Sequence, residues 1–235
     1  MRLALSLLVV ASVTATACGS GEGARSAPGG LADKWLTRAR QSYRAGDFDD
    51  AREAAGQALK AAPNDPDART LAATVAMSQL DFEGALKLTE GIDSTEAHRL
   101  RGRAHWYAGH MEEAADELEA LLRDPQVRDP WARSIEKLAR QGAGRKPFTH
   151  EGASITAVEM PKAGPALVVP CELNGERILA LVATATAEVA IDSSTRREPA
   201  WVNLRFGERF EVKDVPAVPQ DLSSFTRQFG APIKA

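Results

Sequence analysis

Cysteine is nearly missing from this chain, with two in 235 residues. Two cannot make a disulfide framework. The four histidines, His98, His105, His110 and His150, are scattered, and no Cys/His cluster has zinc-ligand spacing. Strong charge of either sign is missing too. Lys plus Arg number 29 against 32 Asp plus Glu, a net charge of −3, which provides no general attraction for nucleic acid. Ser193-Ser194-Thr195 has no nearby histidine-plus-acid constellation and reads as a turn. No metal or cofactor is expected. What remains is an ordinary soluble composition, 44% apolar and 26% charged. The length suffices for one large domain or two small ones.

The N-terminus carries a targeting signal. Arg2 is the only charge before Glu22, and Leu3 to Val13 is an apolar run of eleven residues. That is too short to span a bilayer and right for a signal-peptide core. Ala15-Thr16-Ala17-Cys18 follows and resembles a bacterial lipobox, with Ala15 where that motif most often has leucine. The resemblance implies a cut after residue 17, lipid on Cys18 and a membrane anchor in the cell envelope, facing the periplasm from the outer membrane. An ordinary secretory cut at the same place is the alternative. Residues 18–30, rich in Gly and Ser, cannot build a core and read as a flexible tether.

The middle of the chain repeats. Ala45-Gly46-Asp47-Phe48-Asp49-Asp50-Ala51, Gln79-Leu80-Asp81-Phe82-Glu83-Gly84-Ala85 and Ala108-Gly109-His110-Met111-Glu112-Glu113-Ala114 align. Ala51 and Ala85 are 34 residues apart, Ala85 and Ala114 only 29, with the deficit in the second helix of the second repeat. Gly46 and Gly109 fall where a helix ends and the chain reverses. The alanines fall where two helices approach closely. Trp35 and Pro63 complete a pattern that resembles the tetratricopeptide repeat. About three repeats and a capping helix, Pro130 to Gln141, are expected over 31–141.

After a linker at 142–150, apolar residues alternate with period two. Strands are predicted over 154–159, 166–173, 177–182, 187–191, 201–206 and 210–215, with a hairpin at Asn174-Gly175. Residues 167–189 resemble the opening of a retropepsin-like aspartic protease domain, in which an apolar strand runs into Asp-Thr-Gly. Here that motif reads Ala183-Thr184-Ala185-Thr186. Such enzymes activate water between two carboxylates, and a methyl group at 183 cannot. The family's second loop, closing strands and helix, and its flap, have no evident counterpart. The resemblance therefore implies a degenerate protease-like β domain over 151–235, without catalytic residues. Asp192 and Glu188 are the replacement acids to consider. Cys171 reads as a buried, inert thiol.

The expected architecture is an α-solenoid of tetratricopeptide repeats followed by a small, mainly antiparallel β domain, a partial retropepsin-like barrel. Repeat arrays of this kind bind peptides on the face lined by each first helix. In this register that face carries Arg40, Tyr43, Arg44, Thr70, Thr74, Met77, Arg99, Arg103 and Trp106. Arginines match carboxylates and aromatics supply packing area, so a protein or acidic peptide is the expected partner. The expected function is non-catalytic protein–protein interaction. The alternatives are an aspartic peptidase with unrecognised residues and a purely structural envelope lipoprotein.

Overall fold

The computed structural model describes residues 30–162, 166–183 and 188–235. The leader, Cys18 and nearly all of the tether lie outside the described residues, as do Thr184, Ala185 and Thr186. Seven helices come first: α1 (Leu31–Ala45), α2 (Phe48–Ala61), α3 (Pro66–Ser78), α4 (Phe82–Thr89), α5 (Thr95–Ala108), α6 (Met111–Leu122) and α7 (Pro130–Gln141). Most begin on a side chain that accepts the orphan amides of the first turn. Asp47 takes Asp50 N, Asp65 takes Asp67 N and Ala68 N, Asp81 takes Gly84 N, Ser94 takes Ala97 N, and Asp129 takes Ala132 N.

The three intra-repeat turns show what the repeat demands. Gly46 (φ 79°) and Gly109 (φ 83°) take the left-handed conformation that ends α1 and α5. The second repeat has leucine at that place, and Leu80 adopts φ 61° all the same. The conformation is set by the packing of α3 on α4, against the residue's own preference. Ala51, Ala85 and Ala114 are fully buried between their helix pairs. Gly102 allows an equally close approach, because a Cβ there would lie 2.6 Å from Leu118 Cδ2.

The shortened second repeat is closed from outside. α4 is only eight residues long, and Arg101 on α5 donates from Nη1 to the carbonyls of Thr89 (2.8 Å) and Ile92 (2.9 Å). Its Nε donates to Glu117 on α6 at 2.8 Å. One side chain of the third repeat thus supplies donors that a longer α4 would have supplied itself.

The second unit holds β1 (Thr149–Gly152), β2 (Val168–Leu173), β3 (Glu176–Leu181), β4 (Val189–Asp192), β5 (Ala200–Phe206), β6 (Phe210–Gln220) and α8 (Ser223–Phe229). The hairpin forms as predicted, with Asn174 and Gly175 at φ 51° and 87° and Leu173 opposite Glu176. The sheet order is β1-β6-β5-β2-β3, and β4 runs parallel to the end of β6. Ile233 bridges Leu179 in parallel, Leu181 N donates to Ala235 O at 2.8 Å, and Asp192 N donates to Lys234 O at 3.0 Å. Residues 233–235 therefore lie between β3 and β4, and the pairings run in a circuit.

Three expectations need correction. Residues 154–159 form no strand. The chain turns off the edge of the sheet at Gly152 (φ 85°), where a Cβ would lie 2.0 Å from Arg209 O, and Ile155 is left 87% exposed. The edge strand β1 instead begins at Thr149, inside the segment read as linker. The stretch after 215 continues as strand to Gln220 and then forms α8, although neither was read from the pattern. Among the described residues no helix is long and apolar enough to cross a membrane.

Candidate functional site

The two units meet where α5 and α7 face the sheet. Trp201 donates from Nε1 to Leu138 O at 3.0 Å, and its ring packs against Gly142, where a Cβ would lie 2.7 Å away. The Trp201 and Trp106 rings are 6.0 Å apart. Trp106 is only 6% exposed and donates from Nε1 to Glu188 Oε1 at 3.0 Å. Lys137–Glu198 and Arg145–Asp214 pair at the rim.

This contact divides the face read as a peptide groove. On α1, Arg40 and Tyr43 are half-buried and Arg44 is exposed. Tyr43 packs edge-on against Phe48 at 5.6 Å, and neither arginine has an ion-pair partner among the described residues. On α3, Thr74 Oγ1 donates back to Thr70 O, and Met77 packs on the core shared with α4 and α5. Met77 is thus partly withdrawn from the surface.

On α5 the expectation fails in part. Arg99 is engaged by Glu96 and, at 3.4 Å, by Asp129 at the start of α7. Arg103 lies 4.6 Å over the Trp131 ring, with its Nε buried and without a hydrogen-bond partner. Trp106 is covered by the β unit, through Glu188 and Trp201. The repeat register identifies the positions on the inner face, but nothing in it marks the residues of a later domain that cover them.

Tyr107, which the sequence reading left out, belongs to the same end. Its phenol is pushed up to about 12 by burial and by the Glu188 carboxylate beside it. The signal was available: Tyr107 is next to Trp106 and takes the register of Arg44 and Ser78.

Ala183, the described residue of the segment compared with a protease aspartate loop, is exposed and lines a cavity of about 330 Å³ inside the β unit. Val169, Cys171, Leu204, Phe225 and Ile233 form much of the wall. The two replacement acids are engaged elsewhere. Glu188 accepts from Trp106. Asp192 accepts from Lys234 Nζ at 2.9 Å and from the Ser194 hydroxyl at 2.5 Å. Hydrogen bonds from Ser194 and Lys234 hold its carboxyl down at about 2. Cys171 is buried, and burial pushes its thiol up to about 11, away from a nucleophilic thiolate. The fold brings His105 and His110 together, with Nδ1 atoms 3.3 Å apart. No group of three or more potential metal ligands occurs among the described residues.

A family model for the tetratricopeptide repeat matches residues 32–75, which span α1, α2 and most of α3. The tetratricopeptide match thus covers the first of the helix pairs and most of the helix that follows it. Among solved structures, the first tetratricopeptide domain of Spaghetti (RPAP3) bound to the HSP90 peptide SRMEEVD is similar at 20% identity. The match covers 48% of this chain and 92% of that one, with a TM-score of 0.45. The Sgt2 tetratricopeptide domain from Aspergillus fumigatus is 19% identical, with coverage of 61% and 97% and a TM-score of 0.46. The comparison with curated proteins produced no match.

Proposed function

We propose that the chain is a non-catalytic interaction protein of the cell envelope, held to the membrane by lipid on Cys18, whose repeats bind a protein or peptide with acidic groups. The observation that carries the reading is the inner face of α1. There Arg40 and Arg44 stand one helical turn apart beside Tyr43, with no ion-pair partner among the described residues. An uncommitted arginine pair flanking an aromatic suits a carboxylate-bearing partner. Each charged hydrogen bond contributes about 1.5–3 kcal/mol, so two with some packing support micromolar binding.

The protease-like unit is read as inactive. Ala183 replaces the acid, and Asp192 is held by Lys234. In this reading the β unit is a retropepsin-like scaffold that has kept strands and lost chemistry.

The test is a pull-down from envelope extracts with the wild-type chain and with Arg40→Glu/Arg44→Glu. A partner captured by the first and lost with the second is expected, and its capture weakens with salt. Equal capture by both would show that α1 is not the binding face. For the anchor, Cys18→Ser releases the protein from the membrane fraction, and mass spectrometry finds diacylglycerol and acyl chains on the wild-type cysteine.

A further inference from the structure

Three groups suited to hold a carboxylate gather at the last turns of α5. Trp106 Nε1 already donates to Glu188 Oε1 at 3.0 Å. The Tyr107 phenol is close to the same carboxylate, and the Arg103 charge acts on that phenol. Arg103 precedes Trp106 by three residues and Tyr107 by four, so the helix sets it beside each of them. The guanidinium of Arg103 is stacked on Trp131, and its buried Nε has no acceptor among the described residues. A buried donor without a partner is costly. Here the donor lies one helical turn before Trp106 and Tyr107, the two side chains that engage Glu188.

Beside this cluster is a second cavity of about 280 Å³. Trp106, Met111, Phe148 and Pro216 line it, and Glu188 is at its edge. That volume accommodates one or two apolar side chains. The junction is held mainly through Trp201, on Leu138 and Gly142, and the two ion pairs at the rim are partly exposed. None of these contacts involves Glu188, so its side chain can leave Trp106 while Trp201 still holds the units together.

We propose that Glu188 is an internal ligand of the repeat array. Arg103, Trp106 and Tyr107 form a recognition site for an acidic side chain next to an apolar one, and an outside peptide of that kind binds there by displacing Glu188. The proposal rests on the reading of the array as a binder of acidic peptides, and adds a second site to the α1 face together with what occupies it. It also couples the units, because a ligand that displaces Glu188 frees the residue that immediately precedes β4.

The test uses the full chain and a fluorescein-labelled Gly-Phe-Glu-Glu-Ile-Gly peptide, with its Gln-Gln counterpart as control. Removing the internal competitor with Glu188→Ala tightens binding of the acidic probe about tenfold, since apparent affinity scales with the fraction of empty sites. Glu188→Gln keeps the shape and gives part of the gain if the alanine variant folds poorly. Adding Arg103→Leu to Glu188→Ala abolishes the gain, and the Gln-Gln peptide binds neither variant. Equal affinity for wild type and Glu188→Ala, with binding lost in Arg40→Glu/Arg44→Glu, would overturn the internal-ligand proposal and leave the α1 reading intact. No binding of the probe to either Glu188 variant would overturn the carboxylate site itself, while the pull-down still judges the α1 face.

Discussion

In the helical array the closest approaches are made by the smallest residues. Ala51, Ala85, Ala114 and Gly102 sit between helices with no room beside them. The β unit is built the opposite way: larger side chains from β2, β5, α8 and the tail surround about 330 Å³ of open space. The array can be packed from neighbours in sequence, because each helix meets the next. The sheet pairs β2 with β5 and residues 233–235 with β3, so its core depends on distant segments arriving together. The alanine contacts of the array leave no room for added volume, and the core of the β unit has volume to spare.

The largest way to break the array without touching an alanine is Arg101→Met. It leaves Glu117 facing a lost partner and the carbonyls of Thr89 and Ile92 without donors. Loss of one member of a largely buried pair costs about 3 kcal/mol, read from chemical denaturation. A cost under 1 kcal/mol would mean that water replaces the arginine easily and that α4 is not closed from outside.

The contrast in packing is sharpened by one substitution made twice. Ala85→Leu in the array costs about 1–3 kcal/mol through overpacking. Ala180→Leu, on a strand that lines the β cavity, changes stability little or raises it. Equal penalties at the two sites would sink the comparison.

A smaller effect of opposite sign comes from Leu80→Gly. The leucine is exposed at φ 61°, a conformation that costs an ordinary residue about 1–2 kcal/mol. Glycine relieves that strain at some cost in chain entropy, so a gain of about 1 kcal/mol is expected. The same change at a helix interior would be destabilising, which makes the sign informative.

The smallest effect is in the pH response of the junction. Tyr107 is raised to about 12 in the folded chain, against about 10 when unfolded. Its contribution is fully present below pH 10 and is lost as pH rises towards 12, because the folded state keeps the proton that the unfolded state releases. Glu188→Gln removes one cause and leaves burial, so the phenol titrates lower by ultraviolet absorbance. An unchanged titration would show that Glu188 does not act on Tyr107.

The sequence makes the repeats legible because their rules are local. The alanine spacing and the turn glycines each act within one helix pair. Asn174-Gly175 is legible for the same reason. The edge strand β1, the continuation of β6 and α8 were missed, since each depends on a partner far along the chain. The exposure of Trp106 is not legible from the repeat, because it is covered by residues 82 and 95 positions later. Nothing in the immediate neighbourhood of Arg101 marks it, whereas Tyr107 stands beside Trp106 in a legible register.

The threading of residues 233–235 between β3 and β4 has a consequence for synthesis. As the chain leaves the ribosome, each helix pair of the array can close as soon as it emerges. The β unit must wait, with β3 and β4 unable to acquire their shared neighbour until residues 233–235 have emerged. An arrested nascent chain ending at residue 220 should therefore resist protease across the helices and be cut throughout the strands.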